Sequence, residues 1–129
     1  MGSADTVSTS IAVLALLITG LSLHVSRLRL RHRVSFGDGG HKDLLIAIRA
    51  HGNALEQTAL FAVLALSAVA LQTVPVGLLS ACAVVFTAAR LAHAAAVFGR
   101  RLGLRQAAHV ASTLVHLVLS VAIIVQVLT

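Results

Sequence analysis

Residues 43–71 read DLLIAIRAHGNALEQTALFAVLALSAVAL. The second half of this run is nearly all Ala, Leu and Val, and the whole is long enough to cross a bilayer as a helix, which takes about 20 apolar residues. The first half differs. Arg49, Asn53 and Glu56 stand at i, i+4 and i+7, and at about 100° per residue they fall on one narrow face. Ionisable groups are costly in lipid, so such a face must meet protein or water and marks a candidate site. The segment therefore sets two expectations: a membrane-spanning bundle, and a polar site built into it near one surface.

The rest of the chain agrees with the first expectation. Of 129 residues, 58% are hydrophobic and 11% charged, against roughly 25% charged in ordinary soluble domains; the mean hydropathy is +0.97. This composition excludes a disordered chain, a disulfide-rich secreted domain and a typical cytosolic enzyme. Apolar character recurs in four stretches, which predict helices over about 6–33, 43–71, 75–98 and 104–128. Between them lie the turn-forming Ser35-Phe36-Gly37-Asp38-Gly39-Gly40, the tight Gln72-Thr73-Val74 connection and the basic Gly99-Arg100-Arg101-Leu102-Gly103 loop. Pro75 suits the first turn of the third helix. The first run, Ile11 to Val25, reads as a span rather than a signal peptide, because no basic segment precedes it. The predicted fold class is all-α, an integral membrane four-helix bundle.

The net charge is +6, from ten Lys/Arg against four Asp/Glu. In a soluble protein this would suggest nucleic acid. Here the basic residues sit between apolar runs, so they read as lipid-headgroup contacts and orientation signals, with no nucleic-acid partner. Arg27, Arg29, Arg31, Arg33 and Lys42 precede the second helix, and Arg100 and Arg101 follow the third. The N-terminus and the Gln72–Val74 turn carry no Lys or Arg. By the positive-inside rule the two basic loops face the cytoplasm and both termini lie on the other side. The single Cys, Cys82, sits in an apolar run and reads as packing.

Helix two begins on the cytoplasmic side, so Glu56 lies roughly 18–20 Å along it from Asp43, at about 1.5 Å per residue. Helix three ends on the same side, with Arg90 about 12 Å back from Phe98 and His93 sharing its face at i+3. Two helices thus bring polar faces to similar depth, and neighbouring helices or neighbouring subunits would close a charged pocket open to the cytoplasm. A structural ion pair between Arg90 and Glu56 is the plainer reading. But Arg49, Arg90 and Arg105 around one Glu leave excess positive charge, which suits an anionic ligand. Asn53 adds an amide that both donates and accepts. His24, His109 and His116 show no zinc-site spacing and no Cys partner, so no metal is expected. The first arginines of the Arg27–Arg33 run stand close enough to the helix end to reach the pocket.

The segment Arg49-Ala50-His51-Gly52-Asn53-Ala54-Leu55-Glu56 resembles the signature of the MAPEG family, the membrane-associated proteins of eicosanoid and glutathione metabolism. Ser35–Gly40 is similar to a loop of its bacterial members, and Phe86-Thr87-Ala88-Ala89-Arg90-Leu91-Ala92-His93 resembles the end of the family's third helix. The likeness covers nearly the whole chain, taken as one domain over residues 1–129. It implies a homotrimer in a bacterial inner membrane, with glutathione as co-substrate bound between subunits. The implied contacts are Arg27, Arg49, Asn53, Glu56, Arg90 and His93. The resemblance places the thiol-activating arginine at Arg105, with Arg101 as the competing assignment. The chain departs from the eicosanoid-synthesising members in having no Tyr, with Val97 at a position that is commonly Tyr.

The implied activity is a membrane-bound glutathione transferase or peroxidase-like enzyme of detoxification, acting on hydrophobic electrophiles dissolved in the bilayer. Arginines suit the two glutathione carboxylates, Glu56 the ammonium, and a guanidinium near the thiol favours the thiolate. A non-enzymatic member that binds a lipid or assists a partner is the alternative. A small four-span cation exporter is a third reading; such exporters resemble this chain in length but carry a carboxylate in the first span and abundant aromatics, both lacking here.

Overall fold

The computed structural model describes residues 2–129. Four α-helices follow one another: α1 Ser3–His32, α2 Lys42–Leu71, α3 Val76–Phe98 and α4 Leu102–Leu128. Each is long and apolar enough to cross a membrane. At about 1.5 Å per residue they exceed the ~30 Å hydrocarbon core, so the charged ends of α1 and α2 stand clear of it. The short connections make successive helices antiparallel. The C-termini of α1 and α3 and the N-termini of α2 and α4 therefore meet at one end, beside both basic loops. Helix α2 packs against all three others, whereas α1 touches α2 and α3 but not α4.

The buried seams follow from helical periodicity. On α1, Val7, Leu14, Leu21 and Leu28 are buried, a seven-residue repeat that keeps one stripe facing the neighbouring helices. The buried stripe of α2 is Leu44, Ala47, Ala50, Ala54, Thr58, Phe61, Ala65 and Ala68. Its alanines let adjoining backbones approach closely, which is how helices gain contact inside a membrane. Toward the 72–75 turn the core is continuous: Leu14, Leu79, Cys82 and Leu119 surround Phe61, whose ring stacks on Phe86 at a centroid distance of 4.2 Å. Toward the basic end the apolar core breaks into two small clusters, Leu21 with Ala50 and Ala54, and Leu28 with Leu44 and Ala47. The outer surface is apolar, with Leu16, Leu23, Val63, Val84, Leu114 and Val121 all exposed, as suits a protein whose solvent is lipid.

Helix ends differ from the sequence expectation in detail. Pro75 caps α3 from one position before its first helical residue. Arg101 caps α4, so that helix starts at Leu102 rather than near residue 104, and Gly103 lies inside its first turn. Arg105 is thereby drawn to the helix entrance, its N–H donating to the Arg101 carbonyl at 3.0 Å.

The α1–α2 loop is bent by Gly37, Gly39 and Gly40, all at positive φ. A Cβ on Gly39 would come within 2.6 Å of Val34 Cγ2, and a left-handed residue with a side chain costs about 1–2 kcal/mol before any clash. Gly39→Ala is expected to lower the melting temperature of the detergent-solubilised protein. Gly77→Ala, in open space in the first turn of α3, should leave it unchanged or raise it slightly, since alanine loses less backbone freedom on folding than glycine. Equal melting temperatures for the two variants would mean that the loop does not hold this conformation.

Candidate functional site

Where the basic-end core is interrupted, α2, α3 and α4 enclose a cleft of about 300 Å³ lined by Ile46, Arg49, Ala50, Asn53, His93, Val97 and Arg105. Four of the residues singled out from the sequence thus line one concavity. Arg49 and Asn53 project from successive turns of α2, His93 from α3, and Arg105 from the first turn of α4. Ile46, one turn before Arg49, and Val97, one turn after His93, supply apolar walls. The sequence reading overlooked Ile46 and Ala50, although their spacing from Arg49 and Asn53 puts them on or beside the same face.

Arg90 lies behind this lining and is 1% exposed. Its Nη2 donates to Asn53 Oδ1 at 2.7 Å and lies 3.4 Å from His93 Nδ1. For Nδ1 to accept, the His93 ring proton must sit on Nε2. Arg90 therefore ties together the two polar residues that α2 and α3 contribute to the cleft. Its Nε and Nη1 are buried and find no acceptor among the described residues. A buried guanidinium normally has its donors satisfied, because an unpaired buried charge is costly.

The ion pair that the sequence suggested between Arg90 and Glu56 does not form. Glu56 is exposed on the outer face of α2, and the one salt bridge among the described residues joins His32 to Asp43. The physical reason is angular: Asn53, three residues before Glu56, already points at α3, and the further turn carries Glu56 off that line. Arg27 also lies apart, in a separate hollow on α1 with Gly20, Leu23 and His24. Within the single chain, then, Glu56 and Arg27 are not brought to the cleft. Arg101 lines an adjoining hollow with Arg100, Leu102 and Val97, and Arg105 borders both concavities.

The electrostatics favour negative charge. The N-termini of α2 and α4 point to this end, and the positive end of a helix dipole stabilises anions. The first turn of α4 carries no acidic residue, so nothing offsets Arg101 and Arg105 there. The donor set fits carboxylate groups: planar guanidinium forks at three positions, an amide, and an imidazole. His24 packs edge-on against Phe98 at 5.4 Å. His116 lies against Phe86 at 5.2 Å in the bundle interior.

Fold and cleft together define an integral membrane protein of four helices with a cationic site at the basic-loop end. Residues 7–125 match the model of the MAPEG family, and the chain belongs to that family. It is 42% identical over 88 residues to the inner membrane protein YecN of Escherichia coli strain K12, a match covering 67% of this chain and 66% of the relative. The same figures hold for inner membrane protein YecN of Escherichia coli O6:H1 strain CFT073. The chain thus spans just under two thirds of the curated relatives it matches. Its four apolar helices and these relatives identify it as an integral protein of a bacterial inner membrane.

Proposed function

We propose that the protein is a glutathione transferase-like membrane enzyme that joins a thiol to hydrophobic electrophiles entering from the bilayer. The observation that carries this reading is Arg90. Two of its buried donors lack acceptors among the described residues, and they lie behind a cleft that presents Arg49, Asn53, His93 and Arg105. A carboxylate of glutathione that displaced the lining side chains in front of Arg90 would satisfy charge and hydrogen bonds together. Arg49 would hold the second carboxylate, and His93 and Asn53 would orient the peptide. Arg105, at the cleft mouth and at the positive end of α4, would favour the thiolate form of the bound thiol. The thiolate sulfur then bonds to the electrophilic carbon, the leaving group departs with its electron pair, and the thiol proton passes to water. Val97 and Ile46 offer the apolar side from which such a substrate would approach.

Glu56 and Arg27 enter this scheme through assembly. Both are exposed in one subunit, and charge facing lipid is expensive. A homotrimer, the arrangement suggested by the family resemblance, would cover them at subunit interfaces and let Glu56 of one copy meet the glutathione ammonium held by another. Their distance from the cleft in a single chain is also what favours a second reading, a non-enzymatic lipid-binding or partner-assisting protein.

The test is a thermal-shift and turnover series on detergent-purified protein that native mass spectrometry is expected to show as three copies. Glutathione and S-hexylglutathione should raise the melting temperature by mass action, and a chlorinated nitroaromatic should be conjugated. Stabilisation without turnover would favour the non-enzymatic reading. No response to either ligand in a folded trimer would overturn the glutathione assignment.

A further inference from the structure

We propose that His32, His41 and Asp43 form a site for a divalent transition metal of the zinc class, which clasps the end of α1 to the start of α2. The three residues come from different places: His32 is the last residue of α1, His41 caps α2, and Asp43 stands in its first turn. Their ligand atoms all lie within 4.8 Å of one another. A tetrahedral ion bonded at about 2.0–2.2 Å separates its ligand atoms by roughly 3.3–3.6 Å, so the cluster is already near the required size. His32 Nε2 and Asp43 Oδ2, at 2.9 Å, need only part by a few tenths of an ångström. The site lies at the helix ends, outside the hydrocarbon, where an ion arrives from water.

The loop is shaped for this convergence. Gly37, Gly39 and Gly40, all at positive φ, turn the chain so that His41 returns over His32. The absent Cβ of Gly39 leaves room beside the His41 ring, whose Cδ2 would otherwise be 3.4 Å away. Without metal the two imidazoles stack, with centroids 3.9 Å apart and planes 13° from parallel. Parallel rings do not aim their lone pairs at one point, so binding requires the His41 ring to turn out of the stack. Arg29 Nη1 donates to the carbonyls of Ser35 and Gly37, and the Asp43 carboxylate would offset one of the ion's two charges.

Two imidazoles and one carboxylate suit Zn²⁺, Ni²⁺ or Cu²⁺ and disfavour Mg²⁺ and Ca²⁺, which take oxygen ligands. Three protein ligands leave a coordination position for water. For His32 Nε2 to bind the ion, its contact with Asp43 must open and the ring proton must sit on Nδ1. The bound ion would fix loop 33–41 and the entrance of α2, two turns from Arg49. This assignment is independent of the glutathione reading.

The experiment is titration of chelator-stripped, detergent-solubilised protein with Zn²⁺ by calorimetry, and with Co²⁺ by visible absorption. One ion per chain, tetrahedral Co²⁺ bands and a Zn²⁺-dependent rise in melting temperature that Mg²⁺ does not reproduce are expected. His41→Ala and Asp43→Asn should each weaken Zn²⁺ by more than the roughly 10–100-fold lost when a residue that merely supports a ligand is removed. His109→Ala, outside the cluster, should not. Unchanged Zn²⁺ affinity in both cluster variants would overturn the site. Absence of tetrahedral Co²⁺ bands in the unmodified protein would do so too, even if the variants fail to fold.

Discussion

Arg90→Met is expected to erase the glutathione-induced thermal shift while raising the stability of the ligand-free protein. The two effects have one cause. Arg90 is 1% exposed and carries its charge into the bundle with one short hydrogen bond, to Asn53. Replacing a buried, incompletely paired charge by an apolar residue of similar volume is neutral or stabilises by about 1–4 kcal/mol. Asn53 is half-buried, so its freed carbonyl can reach water. On the proposed glutathione reading the same substitution would remove two charge-assisted hydrogen bonds to the ligand, at roughly 1.5–3 kcal/mol each, and so weaken binding by about a hundredfold or more. Melting temperatures with and without glutathione read both effects. A less stable Arg90→Met protein that still responds to glutathione would show that Arg90 fixes helix register and leaves the ligand to others.

Arg105→Ala should separate chemistry from binding. Arg105 is exposed at the α4 entrance and faces the cleft, so its loss disturbs no packing. Glutathione should still bind through Arg90, Arg49 and Asn53. A free thiol titrates near about 8.5, and a guanidinium alongside it lowers that value. Each unit of lowering lost corresponds to about 1.4 kcal/mol and a tenfold smaller thiolate fraction at neutral pH. Conjugation at pH 7 should therefore slow by about tenfold or more, and the deficit should shrink as pH rises past the free thiol's range, where the thiolate forms unaided. The pH profile of the conjugation rate for both proteins is the measurement. Identical profiles would remove Arg105 from the chemistry and direct attention to Arg101, which lines the adjoining hollow.

The four spans and their polar faces are local properties, and the sequence carries them openly. Apolar runs of this length have one stable form in lipid, because only a helix satisfies its own backbone there. The i, i+4 spacing of Arg49 and Asn53 is likewise fixed by helical geometry, and so is the i+3 spacing of Arg90 and His93. Which face meets which helix is not local. Arg90 takes Asn53 rather than Glu56 as its partner because α2 is rotated to bury Ala50 and Ala54, which leaves Glu56 on the outside. Arg105 reaches the cleft because α4 begins at Leu102, two residues before the start that the sequence pattern suggested.

By itself the sequence determined a membrane-embedded four-helix protein with cationic loops and an arginine-rich face near one end. Only the tertiary structure decided the membership of the cleft, the separation of Glu56 and Arg27 from it, and the meeting of His32 with His41 and Asp43. That last cluster had no signature in residue spacing. His32 lies on a different helix from Asp43, and their approach depends on left-handed backbone at Gly37, Gly39 and Gly40. Periodicity governs what shares a face within one helix; how two faces are turned toward each other is set by loop geometry and by the small residues that let helices close, and neither has a period to read.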